Sequence, residues 1–313
     1  MEYRNLGTTG LRVSVAGLGC NNFGMRIDQD ATNAVVDAAL DAGITFFDTA
    51  RIYGGGKSEE QLGKALGARR DQVVIATKFG MERNDPENGG SRRYLMKVVE
   101  ASLRALGTDW IDLYQLHQPD PTTPLDETLD ALDTLIDQGK VRYVGCSNFA
   151  GWQIADADWI AKTRGFRPFA TVQNEWSLVS RGIESEVVPA AQRFGLSILP
   201  YFPLASGLLT GKVRRGQEPP ADSRLANAWF ASVLSDENLD RVERLVQWGE
   251  ARGRSITDVA LSYLASQPVV GSVIAGATKP EQVRANAEAT RTDLTAEELA
   301  ELRELVAPDS SAS

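Results

Sequence analysis

Four polar residues, set far apart in this chain, have side chains suited to proton transfer: Asp48, Tyr53, Lys78 and His117. They supply a carboxyl group, a phenol, an ammonium group and an imidazole. A nearby ammonium group favours the phenolate and lowers the pKa of a tyrosine from its usual value of about 10. A tyrosine with a lowered pKa donates a proton more readily near neutral pH. The four residues together therefore predict a site for general acid catalysis.

Each of the four residues also has a structural interpretation. Asp48 could cap the loop after its strand, and Tyr53 could pack against apolar neighbours with its hydroxyl hydrogen-bonded. His117 is the only histidine in the chain, and a lone histidine is more often structural than catalytic. Lys78 is harder to explain in this way, because a lysine at the end of an apolar strand needs a carboxylate partner, for which Asp48 is the candidate.

The elements that must bring these residues together are short apolar segments, which are typical of buried parallel strands. Eight strands are predicted, beginning near residue 13 and then at 44–47, 73–78, 111–116, 141–146, 170–174, 196–200 and 272–275. Helices are predicted near 28–42, 58–66, 91–106, 125–138, 150–163, 184–194, 236–251 and 280–288. In a parallel barrel the carboxyl ends of all strands face one mouth, so the four polar residues would meet there.

This alternation over roughly 275 residues predicts an α/β fold of the (β/α)8 TIM barrel type. Residues 3–15 carry Leu-Gly-Thr-Thr-Gly between apolar flanks and predict an N-terminal β-hairpin that closes the bottom of the barrel. No linker or composition break divides the chain, so residues 1–313 are predicted to form one domain. G-x-G-x-x-G and Walker sequences are both absent, so a nucleotide would bind in another way.

The composition favours a protein that acts on small molecules. With 33 Lys and Arg against 42 Asp and Glu, the net charge of −9 disfavours nucleic acid or an anionic membrane as a partner. No signal segment or long apolar stretch occurs, so secretion and membrane insertion are not expected and a cytoplasmic location is predicted. Cys20 and Cys146 are too few for a disulfide framework or a zinc site, and no metal is expected.

Two loops near the end of the chain have the composition of a phosphate site. Barrels commonly bind phosphate with the loops after strands seven and eight and a helix N-terminus. The first loop is 201–212, rich in small residues, and the second is 276–279, followed by Pro280 as a preferred first-turn residue. The second segment could equally be an ordinary loop and helix cap.

Several segments also occur in an order typical of one known family. They are Phe-Asp48-Thr-Ala-Arg-Ile-Tyr53-Gly-Gly-Gly-Lys-Ser-Glu-Glu, Thr-Lys78-Phe-Gly, and the segments 102–117, 139–149, 173–177 and 201–212. Together they resemble the aldo-keto reductase superfamily over the whole chain. The resemblance implies a (β/α)8 barrel that binds NADPH in extended form, without a Rossmann domain, and reduces small aldehydes or ketones to alcohols. It implies Tyr53 as proton donor, assisted by Lys78 and Asp48, with His117 hydrogen-bonded to the carbonyl oxygen.

The same resemblance implies the residues that bind the cofactor. Ser147, Asn148 and Gln173 would bind the nicotinamide carboxamide, and Tyr201 would stack on the ring. The remaining residues implied, along the pyrophosphate and adenosine, are Phe202, Pro203, Leu204, Ser206, Gly207, Leu208, Lys212, Gly276, Ala277, Thr278, Lys279, Gln282 and Asn286. Relatives commonly have serine where Phe202 stands, so a hydroxyl close to the cofactor is missing here. Lys279, the only basic residue of its loop, predicts a preference for the 2′-phosphate of NADPH.

The substrate pocket is expected to depend on the loops near 21–29, 80–93, 118–124 and 213–235. Phe23, Phe79 and Trp229 are predicted to give it an apolar lining. Each of these aromatic residues could instead pack within its own loop.

Two other functions share some of these features. Relatives that resemble potassium-channel β subunits keep the fold and cofactor while serving a partner protein, which predicts slow turnover and a large interface. A barrel enzyme with phosphate chemistry, such as an isomerase, would be favoured by a paired Glu and His at strand ends. The strand ends here supply Asp48, Lys78 and His117 instead.

Overall fold

The computed structural model describes residues 1–81, 89–220, 223–227, 232–291 and 293–307. The chain begins with a hairpin of two antiparallel strands, β1 (Tyr3–Asn5) and β2 (Arg12–Ser14). Eight parallel strands follow: β3 (Ala16–Gly19), β4 (Phe46–Asp48), β5 (Val74–Phe79), β6 (Ile111–Leu116), β7 (Val141–Ser147), β8 (Thr171–Gln173), β9 (Ser197–Ile198) and β10 (Val273–Gly276). The predicted α/β barrel architecture is confirmed, except that its first strand begins at residue 16, because 12–14 pair within the hairpin.

The strands from β3 to β9 pair in chain order, and β10 pairs with β3. Hydrogen bonds also join the two outer strands of this sheet. The N–H of Ile198 donates to the carbonyl oxygen of Val269 (2.8 Å), and the N–H of Ile274 donates to that of Pro200 (3.1 Å). These bonds close the sheet into a barrel, so the carboxyl ends of the strands surround one mouth.

Helices follow the strands around the barrel. In the described residues they are α1 (Gln29–Asp41), α2 (Lys57–Leu66), α3 (Arg92–Leu106), α4 (Leu125–Asp137), α5 (Gly151–Arg164), α6 (Val187–Phe194), α7 (Asp236–Glu250), α8 (Ile256–Ala265), α9 (Pro280–Ala289) and α10 (Ala296–Leu305). The predicted helices are present, and α8 and α10 were not predicted. Over the same residues, no helix is both long and apolar enough to cross a membrane.

The hairpin fills the end of the barrel opposite the mouth. Leu6 and Val13 are fully buried, and they belong to a separate apolar cluster inside the barrel. The other members come from the strands and their ends: Phe46, Ala76, Leu113, Leu199 and Ile274. Phe46 and Ala76 lie two residues before Asp48 and Lys78 on the same strands, so these two polar side chains also point inward and lie closer to the mouth.

Candidate active site

A buried ion pair forms the base of the site. Asp48 is the last residue of β4, and Lys78 lies near the end of the neighbouring β5, with no solvent exposure. The ammonium group of Lys78 donates to Asp48 Oδ2 (2.7 Å) and to the carbonyl oxygen of Thr49 (2.8 Å). Burial of Lys78 opposes its charge, but Asp48 and Tyr53 favour that charge more strongly, so the pKa of Lys78 is raised. The lysine therefore stays protonated at neutral pH.

Tyr53 lies on a turn directly above this pair. Gly54, Gly55 and Gly56 follow it with φ values of 60°, 65° and 94°, which glycine adopts without steric cost. This turn brings the Tyr53 ring centroid to 5.2 Å from Lys78 Nζ. Removal from water raises the pKa of Tyr53, although Lys78 acts in the opposite direction. The expected net lowering of this pKa is therefore wrong, because desolvation outweighs the ammonium group.

His117 completes the set of four at the end of β6. Its ring lies edge-on to Tyr53, with centroids 5.9 Å apart. Burial, with a further contribution from Lys78, lowers the pKa of His117 to about 3. The imidazole is thus neutral near pH 7, and one ring nitrogen carries a proton that it can donate. The structure therefore places Asp48 and Lys78 in direct contact, with Tyr53 and His117 beside them.

The low pKa of His117 predicts how the protein responds to acid. The unfolded chain binds a proton at this residue as the pH falls below 6.5, whereas the native state does so only near pH 3. Stability should therefore decrease as the pH falls through this window, with a slope approaching about 1.4 kcal/mol per pH unit for this residue. Urea unfolding from pH 7 to 4 should show a shallower pH dependence for His117→Gln than for the wild type. An NMR titration of this single histidine with a midpoint near 6.5 would contradict the argument.

The residues implied for carboxamide binding lie beside these four. Gln173, at the end of β8, donates from Nε2 to Asp48 Oδ1 (2.9 Å). Asn148 donates to the carbonyl oxygen of His117 (2.9 Å) and accepts from the hydroxyl of Tyr201 (2.8 Å). Ser147 donates to the carbonyl oxygen of Gln173 (2.9 Å). Hydroxyl and amide groups of this kind can pair with a carboxamide, so the donor set fits a nicotinamide group.

The loop after β9 has an unusual backbone. Phe202, Ala205 and Ser206 have φ values of 51°, 47° and 59°, in the left-handed region that favours glycine. Each such residue costs on the order of 1–3 kcal/mol unless the surroundings impose it, and such strain concentrates at functional sites. The ring of Phe202 lies edge-on to Tyr201, with centroids 5.2 Å apart. The residue that replaces serine in relatives thus packs beside the predicted stacking tyrosine.

The segment after β10 leads into α9, which begins at Pro280 as expected. The N–H of Thr278 donates to Gln282 Oε1 (2.7 Å), so this glutamine closes the turn. The residues implied for the pyrophosphate and adenosine differ in their solvent exposure. The buried ones are Pro203, Leu208, Ala277 and Asn286, and the half-buried ones are Phe202, Leu204, Ser206, Gly207 and Thr278. The exposed ones are Lys212, Gly276, Lys279 and Gln282.

Two of the three predicted substrate residues do not line the mouth. Phe23 and Phe79 are both 0% exposed, and both belong to the outer hydrophobic core. Phe79 packs on Tyr114, with ring centroids 4.7 Å apart. Because a side chain without accessible surface cannot line an open pocket, we do not propose either one as a substrate contact. Trp229 lies outside the described residues.

Arg224 is a candidate that the sequence interpretation missed. Its guanidinium donates to the side-chain oxygens of Asn21 (3.0 Å) and Asn22 (2.9 Å), and it lies 5.9 Å from the ring centroid of Phe202. In the described residues no carboxylate pairs with it. Burial, with Arg26, lowers its pKa. A half-buried cation whose described partners are all neutral can bind an anion at the mouth. The sequence did not indicate this role, because Arg224 lies in the loop 213–235, which shows no clear strand or helix period.

A buried carboxylate behind the Tyr53 turn was also missed. Glu59, in the first turn of α2, has no solvent exposure and accepts from Thr77 Oγ1 (2.7 Å) and Arg51 Nη1 (3.1 Å). Desolvation raises the pKa of Glu59. The backbone N–H of Arg51 donates to the carbonyl oxygen of Lys78 (3.0 Å). These bonds hold the loop that carries Tyr53 against β5. The sequence feature that could have identified Glu59 is its position directly after Ser58, within the motif that carries Tyr53.

Comparison with known proteins agrees with this geometry. Residues 16–307 match the family described as "Aldo/keto reductase family". The "Uncharacterized oxidoreductase YrpG" of Bacillus subtilis (strain 168) is 39% identical over 97% of this chain and 96% of its own length. A "Probable voltage-gated potassium channel subunit beta" of Oryza sativa subsp. japonica is 38% identical over 92% and 91%. The "Aldo-keto reductase YhdN" of Bacillus subtilis (strain 168) is 36% identical over 95% and 91%.

The family match covers most of the chain, and these relatives align along nearly their whole lengths. The chain therefore belongs to the aldo/keto reductase family, and this membership supports an oxidoreductase activity that uses a nicotinamide cofactor.

Proposed function

We propose that the protein is an NADPH-dependent carbonyl reductase that converts small aldehydes or ketones to alcohols. The observation that carries the proposal is the position of Tyr53 beside the buried Asp48–Lys78 pair and the neutral His117. A phenol, a fixed positive charge and a neutral hydrogen-bond donor at one mouth suit protonation of an oxygen that gains negative charge.

Tyr53 would donate the proton. Its raised pKa keeps the phenol protonated at neutral pH, so the proton is present before reaction. The charge of Lys78 would then stabilise the phenolate left behind, and Asp48 would hold the lysine in place. His117 would donate a hydrogen bond to the carbonyl oxygen and orient it.

The cofactor would supply the hydride. Ser147, Asn148 and Gln173 would bind its carboxamide, and Tyr201 would lie against its ring. Burial, Glu175 and Tyr53 raise the pKa of Tyr201 to about 12, so its hydroxyl stays neutral. The strained loop 201–212 and Arg224 would meet the pyrophosphate, because backbone N–H groups and a guanidinium both suit phosphate oxygens.

The preference for NADPH over NADH is proposed from Lys279, which is exposed at the start of α9. Lys279→Ala should weaken NADPH binding roughly tenfold, or about 1.4 kcal/mol, and change NADH binding much less, because only NADPH carries the 2′-phosphate. Titration with both cofactors measures this difference. Arg284→Ala, an exposed cation on the same helix, is the matched control. Equal losses for the two cofactors would remove the reason for the preference.

The experiment that tests the function is titration of the purified protein with NADPH and NADH by quenching of tryptophan fluorescence, followed by addition of 4-nitrobenzaldehyde. NADPH binding with aldehyde-dependent loss of nicotinamide absorbance would support the reductase. Absence of binding for both cofactors would overturn it.

A regulatory subunit is the second candidate. The named rice relative favours it, as do two exposed tryptophans on α5, Trp152 (65%) and Trp159 (69%). They lie seven residues apart and so share one face of the helix, and exposed tryptophans are common at interfaces. Tight NADPH binding without turnover of several aldehydes and ketones would favour this candidate over the reductase.

A further inference from the structure

One hydrogen bond of the site crosses the inside of the barrel. Gln173 ends β8 and Asp48 ends β4, and three strands lie between them in either direction around the barrel. Nε2 of Gln173 nevertheless reaches Asp48 Oδ1 at 2.9 Å, and the glutamine is 2% exposed. The two walls of the mouth are therefore joined by a single buried amide.

Asp48 divides its two carboxylate oxygens between different partners. Oδ2 accepts from Lys78, and Oδ1 accepts from Gln173. The amide donor satisfies the second carboxylate oxygen without adding a second positive charge. Gln173 thus supports the charge that holds Lys78 beside Tyr53.

The same glutamine is fixed on its cofactor side. Its carbonyl oxygen accepts from Ser147 Oγ (2.9 Å) and from the backbone N–H of Asn148 (2.9 Å). Among the described residues, none donates to its side-chain oxygen Oε1. That oxygen can accept a hydrogen bond from the NH2 of a carboxamide, while Nε2 keeps its bond to Asp48.

We propose that Gln173 is a positioning residue that couples the carboxamide of the bound cofactor to the charge of Asp48, and through Asp48 to Lys78 and Tyr53. This inference rests on the proposed function, because it takes the ligand to be a nicotinamide nucleotide. Donation to a charged carboxylate polarises the amide and makes its oxygen a better acceptor. An ionised Asp48 therefore strengthens cofactor binding, and by reciprocity the bound cofactor strengthens the hold on Asp48.

A double-mutant cycle on cofactor binding tests this coupling without requiring turnover. The dissociation constant of NADP⁺ is measured for the wild type, Asp48→Asn, Gln173→Met and the double variant. We expect Asp48→Asn to weaken binding about fivefold more in the wild type than in the Gln173→Met background, which is within the usual range of coupling between sites. Equal effects of Asp48→Asn in the two backgrounds would overturn the proposal.

A cofactor analogue provides a second readout that a merely structural role would not change. The 3-acetylpyridine analogue of NADP⁺ has a methyl group in place of the carboxamide NH2, so it cannot donate to Oε1. The wild type should bind it more weakly than NADP⁺, and Gln173→Met should discriminate less between the two nucleotides, because one of the three groups implied for the carboxamide is lost. Undiminished discrimination in Gln173→Met would count against the coupling.

The matched control is the same substitution at a remote buried glutamine. Gln267 donates to the carbonyl oxygen of Tyr263 (2.9 Å) and accepts from Arg303 (3.0 Å), and Gln267→Met should combine additively with Asp48→Asn. Circular dichroism checks the folding of each variant. If Gln173→Met does not fold, Gln173→Asn, which is one methylene too short to reach Asp48, takes its place with the same expectations. Absence of NADP⁺ binding by the wild type would instead overturn the proposed function.

Discussion

Tyr53→Phe is expected to reduce carbonyl reduction roughly 10²- to 10⁴-fold, the usual contribution of a general acid. The substitution removes the phenolic proton and leaves the ring, its edge-on contact with His117 and the glycine turn in place. NADPH binding should change little, because the residues implied for the cofactor are unaltered. The measurement is steady-state kinetics together with fluorescence titration.

The control for this variant is Tyr3→Phe. Tyr3 lies in the hairpin at the bottom of the barrel, and its hydroxyl donates to the carbonyl oxygen of Gly43 (3.0 Å). Loss of this hydroxyl should leave carbonyl reduction unchanged. Full activity of Tyr53→Phe would remove the proton donor from the mechanism. An equal loss in both variants would point to a general effect of losing a tyrosine hydroxyl.

Lys78→Met should have the largest effect on folding. It leaves Asp48 buried with its charge uncompensated on one side, and breaking a buried ion pair in this way costs about 3–5 kcal/mol. Urea unfolding of the protein without cofactor measures the change in the free energy of unfolding. Activity should fall with it, because the phenolate of Tyr53 loses its stabilising charge.

A second substitution separates charge from packing in this variant. Adding Asp48→Asn to Lys78→Met removes the unpaired carboxylate and should recover much of the lost stability. Lys64→Met, which removes an exposed lysine paired with Glu60, should leave unfolding unchanged. If the losses in the free energy of unfolding caused by Lys78→Met and Asp48→Asn simply added in the double variant, the unpaired buried carboxylate would not be the cause of the instability.

Much of the fold was predictable because strand and helix periods alternate clearly. The segments near 73–78 and 111–116 are apolar and β-branched or aromatic, and both form strands within a residue of the expected bounds. The helix α8 was missed because all but Thr257 and Asp258 of its ten residues are buried. A helix that is apolar on nearly every side has no amphipathic period to detect.

The positions of site residues at strand ends were predictable from the sequence. Properties that depend on the depth of burial were less predictable. Asp48 and Lys78 pair as their positions suggested. The sign of the Tyr53 pKa shift could not be obtained from its neighbours, because desolvation depends on how deeply the turn 53–56 lies. Phe23 and Phe79 were assigned to loops. Phe79 is instead the last residue of β5, and Phe23 lies in the turn after β3, and both side chains are buried in the outer core. Arg224 follows no strand, so no register places it.

The hairpin has a consequence for the native-state dynamics of the barrel. The junction of β9 and β10 has one isolated bridge, Ile198 with Val270, made by the bond from Ile198 to Val269 and by the bond from the N–H of Gly271 to the carbonyl oxygen of Ile198 (3.0 Å). The bond from Ile274 to Pro200 lies beside this bridge. The hairpin bonds to both sides of it, from the N–H of Gly7 to Ser197 Oγ (2.7 Å) and from Arg4 to the carbonyl oxygen of Val270 (3.0 Å). Sub-global opening should begin at this sparsely bonded junction. Since the loops after these two strands carry the proposed cofactor residues, we expect the hairpin bonds to slow both amide exchange in β9 and β10 and release of the cofactor.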